Sequence, residues 1–444
     1  MGRQSFAIAS LLTAFGLAGR YIPQDRQILN GAEPVLEVAV VGDYSKRASS
    51  AYTKWEGANS QATVDYYAGA RAALQTEVRK QPDSGAYFRI TPIDDGANEA
   101  QAIDLARQLM ANPNILAVIG HTTSAQTRKT ASIYAKARIP LILPVATAQA
   151  AVYPDGLDEN LFGRNRRLLN CYRLPPSDDN AQAPAIAYLV TQLQPRRVHI
   201  IEETADGGAV YSKPLGNSVR TFLQIARMSD VQTPREVSDS SVEDTVDTIC
   251  RGANGDDVVV YCGYSKQAKA FLAALAKRQA PGKAAPRIIL SEGCQDLDED
   301  RSSGLPFLRM SPSDISRCDN DSEGMKALRA IAGADVVSAN MVFGYDAARI
   351  LIEALKGCDE KGIGWSRACV LDQLQTRPAF PSLCGGYSFH DGESLVSSYF
   401  VYKSAGFDGK ALPKGLGEPS AGGYYEIPAR RIVQVGAQAK GNHQ

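Results

Sequence analysis

Two α/β lobes, each built on a largely parallel sheet, are the expected architecture of this chain. Its 444 residues are roughly two to three times the ~100–200 of a usual domain. From Pro34 onward, short β-branched runs alternate with amphipathic stretches, which is how strands linked by crossover helices read in sequence. The series runs twice, to about residue 150 and again from about residue 175.

The first run is Leu36 to Val41, ended by Gly42-Asp43. Phe88 to Ile93 follows and stops at Asp94-Asp95-Gly96, after which Ala102, Leu105, Ala106 and Leu109 recur at helical spacing up to Asn112-Pro113-Asn114. Ile115 to Ile119 is wholly apolar, as a strand buried on both faces requires. The turn Gly120 to Ser124 leads into a helix over Ala125 to Ala137 and a strand from Pro140 to Val145.

The second series starts after Pro175-Pro176-Ser177-Asp178-Asp179 with a helix to about Leu193 and the strand Arg197 to Glu202. Val258 to Tyr261 and Ile288 to Leu290 repeat the strand pattern, each closed by Gly, Ser or charged turn residues. A helix is expected over Ala339 to Leu355. Gly386 to Tyr402 alternates in strand fashion around His390-Asp391-Gly392, a hairpin signal. The stretch from Leu412 has no clear period, and no repeat of a solenoid kind is present.

Composition narrows the function. Lys plus Arg and Asp plus Glu both number 48, which leaves no positive field for a nucleic-acid backbone. The four histidines, His121, His199, His390 and His443, are scattered. Neither H-E-x-x-H nor a phosphate-binding G-x-x-x-x-G-K-[ST] loop occurs, nor does G-x-S-x-G. Metal catalysis, nucleotide hydrolysis and serine hydrolysis therefore have no motif behind them, and neither a cofactor nor an enzymatic activity is expected.

Arg3 precedes an apolar stretch from Phe6 to Leu17 that ends in small residues, which reads as a secretory signal or a short N-terminal helix or anchor. No cysteine follows it for lipid attachment. The eight cysteines, without a C-x-x-C pair, fit buried thiols or disulfides. With an exported chain, some of them are expected to be oxidised.

The residues that carry binding chemistry cluster at strand ends. Thr122-Thr123-Ser124 follows one first-lobe strand and Ala146-Thr147-Ala148 the next. Ligands of open α/β sheets sit outside the carboxyl ends of the strands. Ser124 stands where a helix N-cap would, so its hydroxyl and the free N–H groups there could hold a carboxylate, or simply cap the helix. In the second lobe, Tyr264 and Glu292 stand just past two strands. A phenol for packing and a carboxylate facing hydroxyls across a cleft match an α-amino acid. Glu292 would also pass for an ordinary solvated carboxylate.

The motif order resembles the type I periplasmic solute-binding proteins of branched-chain amino acid and amide ABC transporters. The resemblance covers about residues 35 to 405. It is carried by Ala117-Val118-Ile119-Gly120-His121 through Ser124, by Ile133-Tyr134, and by Ile139 through Ala148. Arg173 to Asp178, Val198-His199-Ile200-Ile201 and Gly386 through Gly392 add to it. It implies two Rossmann-like lobes with a multi-strand hinge, crossing near Arg173, Arg309 and Cys384. Lobe 1 would comprise 34–173 with 310–384, lobe 2 174–309 with 385–405, after a signal or anchor over 1–19 and before a C-terminal extension over 406–444.

The resemblance further implies that Ser124 and Thr147 bind a ligand carboxylate, with Val145 adding backbone. Tyr264 packs, Glu292 meets the ammonium, and Tyr211 serves as an aromatic lid, although Ser212 replaces the glycine usual after it. The loop from Asp43 to Gly57, with Tyr44, Tyr52 and Trp55, would wall the side-chain pocket. The implied partners are a small amino acid-like ligand and the membrane subunits of an ABC permease, at the periplasmic or extracellular face. The alternative is a sensor of the same fold, coupled to a signalling partner.

Overall fold

The computed structural model describes residues 36–44, 58–78, 88–153, 168–205, 208–251, 255–279, 284–295, 297, 305–332, 337–362, 364–395, 398–407, 412 and 416–428. The expected signal over 1–19 and most of the Asp43 to Gly57 loop, with Tyr52 and Trp55, lie outside them.

Two seven-stranded sheets organise the chain. The first holds β1 (Leu36–Gly42), β2 (Phe88–Asp94), β3 (Ile115–Ile119), β4 (Leu141–Leu143) and β5 (Cys171–Arg173), parallel in the order β2-β1-β3-β4-β5. Helices α1 (Ala58–Ala73), α2 (Glu99–Ala111) and α3 (Ser124–Lys136) connect them. The second sheet holds β6 (Val198–Glu203), β7 (Arg235–Val237), β8 (Val258–Cys262), β9 (Arg287–Leu290) and β10 (Phe307–Ser311), in the matching order β7-β6-β8-β9-β10. Helices α4 (Ala183–Leu193), α5 (Ala209–Ile225), α6 (Val242–Cys250) and α7 (Ser265–Arg278) accompany it.

Burial explains the apolar runs. In β3, Ala117 and Ile119 belong to one core and Ile115 and Val118 to the core on the other face. In β8, Val258 and Val260 face one layer while Val259 and Tyr261 face the other. A strand covered on both sides has no polar face, so its sequence does not alternate.

The chain then returns to the first lobe through α8 (Glu323–Ala332), α9 (Ala339–Glu360) and α10 (Arg367–Thr376). Helix α9 lies against α1 at two glycines. A Cβ on Gly69 would stand 1.9 Å from the Met341 carbonyl oxygen, and one on Gly344 2.0 Å from that of Tyr66. Only residues without a side chain permit backbones that close. The disulfide Cys358–Cys369 ties α9 to α10, and Cys318–Cys384 fastens the chain ahead of α8 to the ribbon β11 (Phe380–Ser382) and β12 (Gly385–Tyr387). The expectation that some cysteines are oxidised thus has two bonds behind it.

The last strands correct the expected boundary. The predicted hairpin forms as β13 (Phe389–His390) and β14 (Glu393–Ser394), turning through Asp391 and Gly392 at φ 50° and 76°. It joins the first sheet, with Glu393 opposite Arg173, whereas residues 385–405 were expected together in lobe 2. Only β15 (Ser398–Lys403) passes to the second sheet, antiparallel to β10, so the crossing expected near Cys384 falls between β14 and β15. The stretch from 406 is not a mere appendage. Phe407, Leu416 and Ile427 are buried in the second core, and β16 (Tyr424–Pro428) pairs with β15 along the sheet edge.

Candidate functional site

Both sheets reverse their strand order beside the first strand of the unit, at β1/β3 and at β6/β8. A crevice forms outside the carboxyl ends of the strands at such a switch point. Here a cleft is lined by Ala62, Thr122, Pro144, Val145, Pro175, Asn340 and Phe343 on one side and by Tyr264, Glu292, Gly293 and Gln295 on the other. Its empty space, counted out to its open mouth, is about 550 Å³.

On the first lobe, Thr122 is held by hydroxyls beneath it. Its Oγ1 lies 2.5 Å from Thr63 Oγ1 and 3.0 Å from the Tyr66 hydroxyl, which donates to the Val41 carbonyl at 2.6 Å. Behind the same turn, fully buried His121 places Nδ1 2.7 Å from Asp95 Oδ2 and Nε2 3.1 Å from the Tyr134 hydroxyl. The turn is therefore fixed from both sides.

The expected N-cap shifts by one residue. Thr123, in extended backbone, caps α3 by accepting from Gln126 N–H. Ser124 is the first helical residue, and its Oγ accepts from the Ala148 N–H at 3.3 Å. It ties the two hydroxyl-bearing loops together. Arg173, fully buried, braces the second loop by donating to the Thr147 and Ala148 carbonyls, each at 2.9 Å.

On the second lobe, the Glu292 N–H donates to Gln182 Oε1 at 2.7 Å, and Gln182 Nε2 donates to Asp178 Oδ1 at 2.6 Å. Tyr211 and Tyr264 stack with ring centroids 5.1 Å apart. Tyr211 is buried beneath Tyr264, where its hydroxyl accepts from the Gly293 N–H at 3.2 Å. The Tyr264 N–H donates to Glu203 Oε2 at 2.6 Å.

The lobes meet at Thr147, whose carbonyl accepts from the Asp178 N–H at 3.1 Å. Thr147 Oγ1 donates to Glu292 Oε1 at 2.8 Å, and Gln295 Nε2 donates to Oε2 at 3.2 Å. Burial pushes the Glu292 carboxyl up to about 7, against the pull of those two donors and of Arg173. Asp178, buried beside Glu292, is raised well above the usual carboxylate range by burial first and by Glu292 next, with Arg173 opposing. The pair shares one positive neighbour, so both carboxyls do not ionise freely together.

Of the residues singled out from sequence, Val145, Tyr264 and Glu292 line the cleft, and Thr147 touches Glu292. Ser124 and Tyr211 stand one layer behind. Asn340, Phe343, Gln295 and Thr122 were not singled out. Asn340 had a readable signal: an amide among apolar residues, two positions after the cap Ser338.

A family described as "Periplasmic binding protein" matches residues 53–410. The chain belongs to this family. Periplasmic binding proteins are solute-binding proteins, not enzymes, that work in the periplasm or outside the cell. Among curated relatives, this periplasmic binding protein is 27% identical over 189 residues to the Leu/Ile/Val-binding protein of Escherichia coli K12, spanning 43% of this chain and 44% of that one. It is 25% identical over 175 residues to an amino acid binding protein of Pseudomonas aeruginosa, or 39% and 42% of the two chains. The match thus spans less than half the length of these relatives.

Solved structures share its fold over most of the chain. A leucine binding protein, LivK, of Thermotoga maritima superposes with a TM-score of 0.65 at 16% identity, covering 83% of this chain and 95% of that one. A solute binding protein of Rhodopseudomonas palustris in complex with 3,4-dihydroxybenzoic acid gives 0.64 at 13% identity, covering 89% and 97%. The two-lobed α/β fold expected from sequence is the fold of these proteins.

Proposed function

We propose that this periplasmic binding protein captures an α-amino acid or a related amide or acid between its lobes and delivers it to the membrane subunits of an ABC transporter. The observation that carries the reading is the meeting of Thr147 and Glu292 across the cleft. One lobe offers hydroxyls and the N-terminus of α3, suited to a carboxylate, and the other a carboxylate suited to an ammonium. Ser124, Thr147 and Val145 serve the carboxylate end in this reading. Glu292 serves the ammonium, and Tyr264, backed by Tyr211, packs over the ligand.

The two disulfides support work in an oxidising compartment. Relatives whose names include amino acid binding and Leu/Ile/Val binding support the ligand class.

Calorimetry with a panel of amino acids tests the proposal. Replacing Glu292 by Gln leaves the ammonium without a counter-ion, which costs about 2–5 kcal/mol, or roughly 30- to 4,000-fold in affinity. Ser124→Ala, which leaves N–H donors in place, is expected to lose less. Burial raises the Glu292 carboxyl to about 7, so a zwitterion that pairs with it at lower pH must displace its proton. Affinity should rise from pH 5.5 to 8 and proton release should accompany binding at pH 6. Equal binding by wild type and Glu292→Gln would sink the zwitterion reading.

A further inference from the structure

The amino acid reading leaves the ligand's side chain unspecified, and α9 bears on it. Asn340 is the second residue of this 22-residue helix, lines the cleft, and is 8% exposed. Among the described residues its side-chain amide makes no hydrogen bond and faces the cleft. The amide atoms are open to the cleft rather than sealed away, so a ligand that displaces the cleft's solvent must supply the hydrogen bonds they would otherwise lose. The first N–H groups of a helix lack intrahelical acceptors and carry the positive end of its dipole. Ser338 satisfies the Met341 N–H with its own side chain; the N-terminal edge beside Asn340 still favours an oxygen acceptor.

The charges on the lining decide which acceptor. Among the described lining residues, Glu292 is the one ionisable carboxyl and no Lys, Arg or His is present. A carboxylate on the ligand's side chain would find no counter-ion among the described lining residues. An uncharged carboxamide has the oxygen that the helix end favours and an N–H₂ for the Asn340 oxygen, a reciprocal pair of hydrogen bonds. Phe343, Pro144 and Pro175 offer apolar contact for the methylenes that precede it.

We infer that Asn340 is a specificity-determining residue that selects an amino acid with a side-chain carboxamide over a branched aliphatic one. The inference rests on the amino acid reading above. A site built to bond a polar group discriminates strongly against an analogue that lacks it, because its own buried group stays unpaired.

The test is competitive calorimetry on the full chain with asparagine, glutamine, aspartate and leucine, asparagine and leucine being nearly the same shape. Asparagine or glutamine is expected to bind wild type roughly 10- to 100-fold more tightly than leucine. Asn340→Leu should reverse that order, and Asn340→Ser, which keeps a small polar group, should narrow it. Leucine binding wild type as tightly as the amides overturns the inference while leaving amino acid capture standing. An unchanged order in both variants does the same. Tightest binding of aspartate overturns the choice of an uncharged group. Failure of every amino acid to bind wild type overturns the amino acid reading itself.

Discussion

Glu202, Glu292 and Asp346 each have a carboxyl raised to about 7, and burial is the first cause for all three. Unfolded, each would titrate near the ordinary value of about 4.3 or below. Between those limits the folded chain holds more protons than the unfolded one, so stability falls as pH rises. The stabilising contribution is complete below the unfolded value and gone above about pH 7. His199, whose burial lowers its value, acts in the opposite sense below about pH 6.5, one group against three. Melting followed by circular dichroism should show Tm decreasing from pH 5 to pH 8. Glu202→Gln, at a residue that does not line the ligand cleft, should flatten the decline. A Tm that climbs over that range would contradict the assignment. None of these shifts is visible in sequence, where Glu202 is one of two adjacent glutamates and Asp346 a helical aspartate. Burial depends on neighbours far along the chain, as with Asp346, which accepts from the Leu383 N–H.

Helix pairing links stability to the cleft at the scale of elements. Thr63 and Tyr66 on α1 hold Thr122, while Asn340 and Phe343 on α9 line the same wall. The contact at Gly344 and Gly69 sets their spacing. Gly344→Ala should force the helices apart, at about 1–3 kcal/mol, the usual range for an overfilled contact. It should lower ligand affinity along with Tm, whereas a substitution on α6, none of whose residues lines the cleft, at the same stability loss should leave affinity intact. Affinity unchanged in Gly344→Ala would mean that the wall tolerates the shift. The strands β1, β3, β6 and β8 were legible because continuous apolar runs report burial on both faces. The hairpin turn at Asp391-Gly392 was legible because two-residue turns are local. Its sheet was not, since pairing of Glu393 beside Arg173 joins residues more than two hundred positions apart. Strand β16 carries little sequence signal because Tyr-Tyr-Glu-Ile-Pro buries a single residue fully, Ile427, and ends in a proline.

Three segments pass between the lobes: after β5, after β10 and between β14 and β15. Closure of the two lobes, if it occurs, is expected to come from small rotations at these crossings. With a ligand identified, small-angle scattering should show a smaller radius of gyration in its presence and circular dichroism no change in helix content. A radius that stays constant would argue against closure. The two-lobed plan was readable from the repeated strand and helix series. The facing of Thr147 and Glu292 was legible from their places just past strand ends as well as from the family resemblance, since periodicity alone does not bring residues 145 positions apart to one cleft.

Strand β16 also seals an edge. It covers β15, Ser-Tyr-Phe-Val-Tyr-Lys, six residues of high strand propensity without proline, the composition that pairs readily with a neighbouring molecule when left open. A chain shortened to end at residue 410, where the family match ends, would retain every residue that lines the cleft. It would also bare the backbone of β15 as an unpaired template. Such a protein should bind its ligand and yet associate at concentrations where the full chain stays monodisperse, as static light scattering would register. Among the described residues, β16 is what keeps the edge of β15 from lying open to a neighbouring molecule.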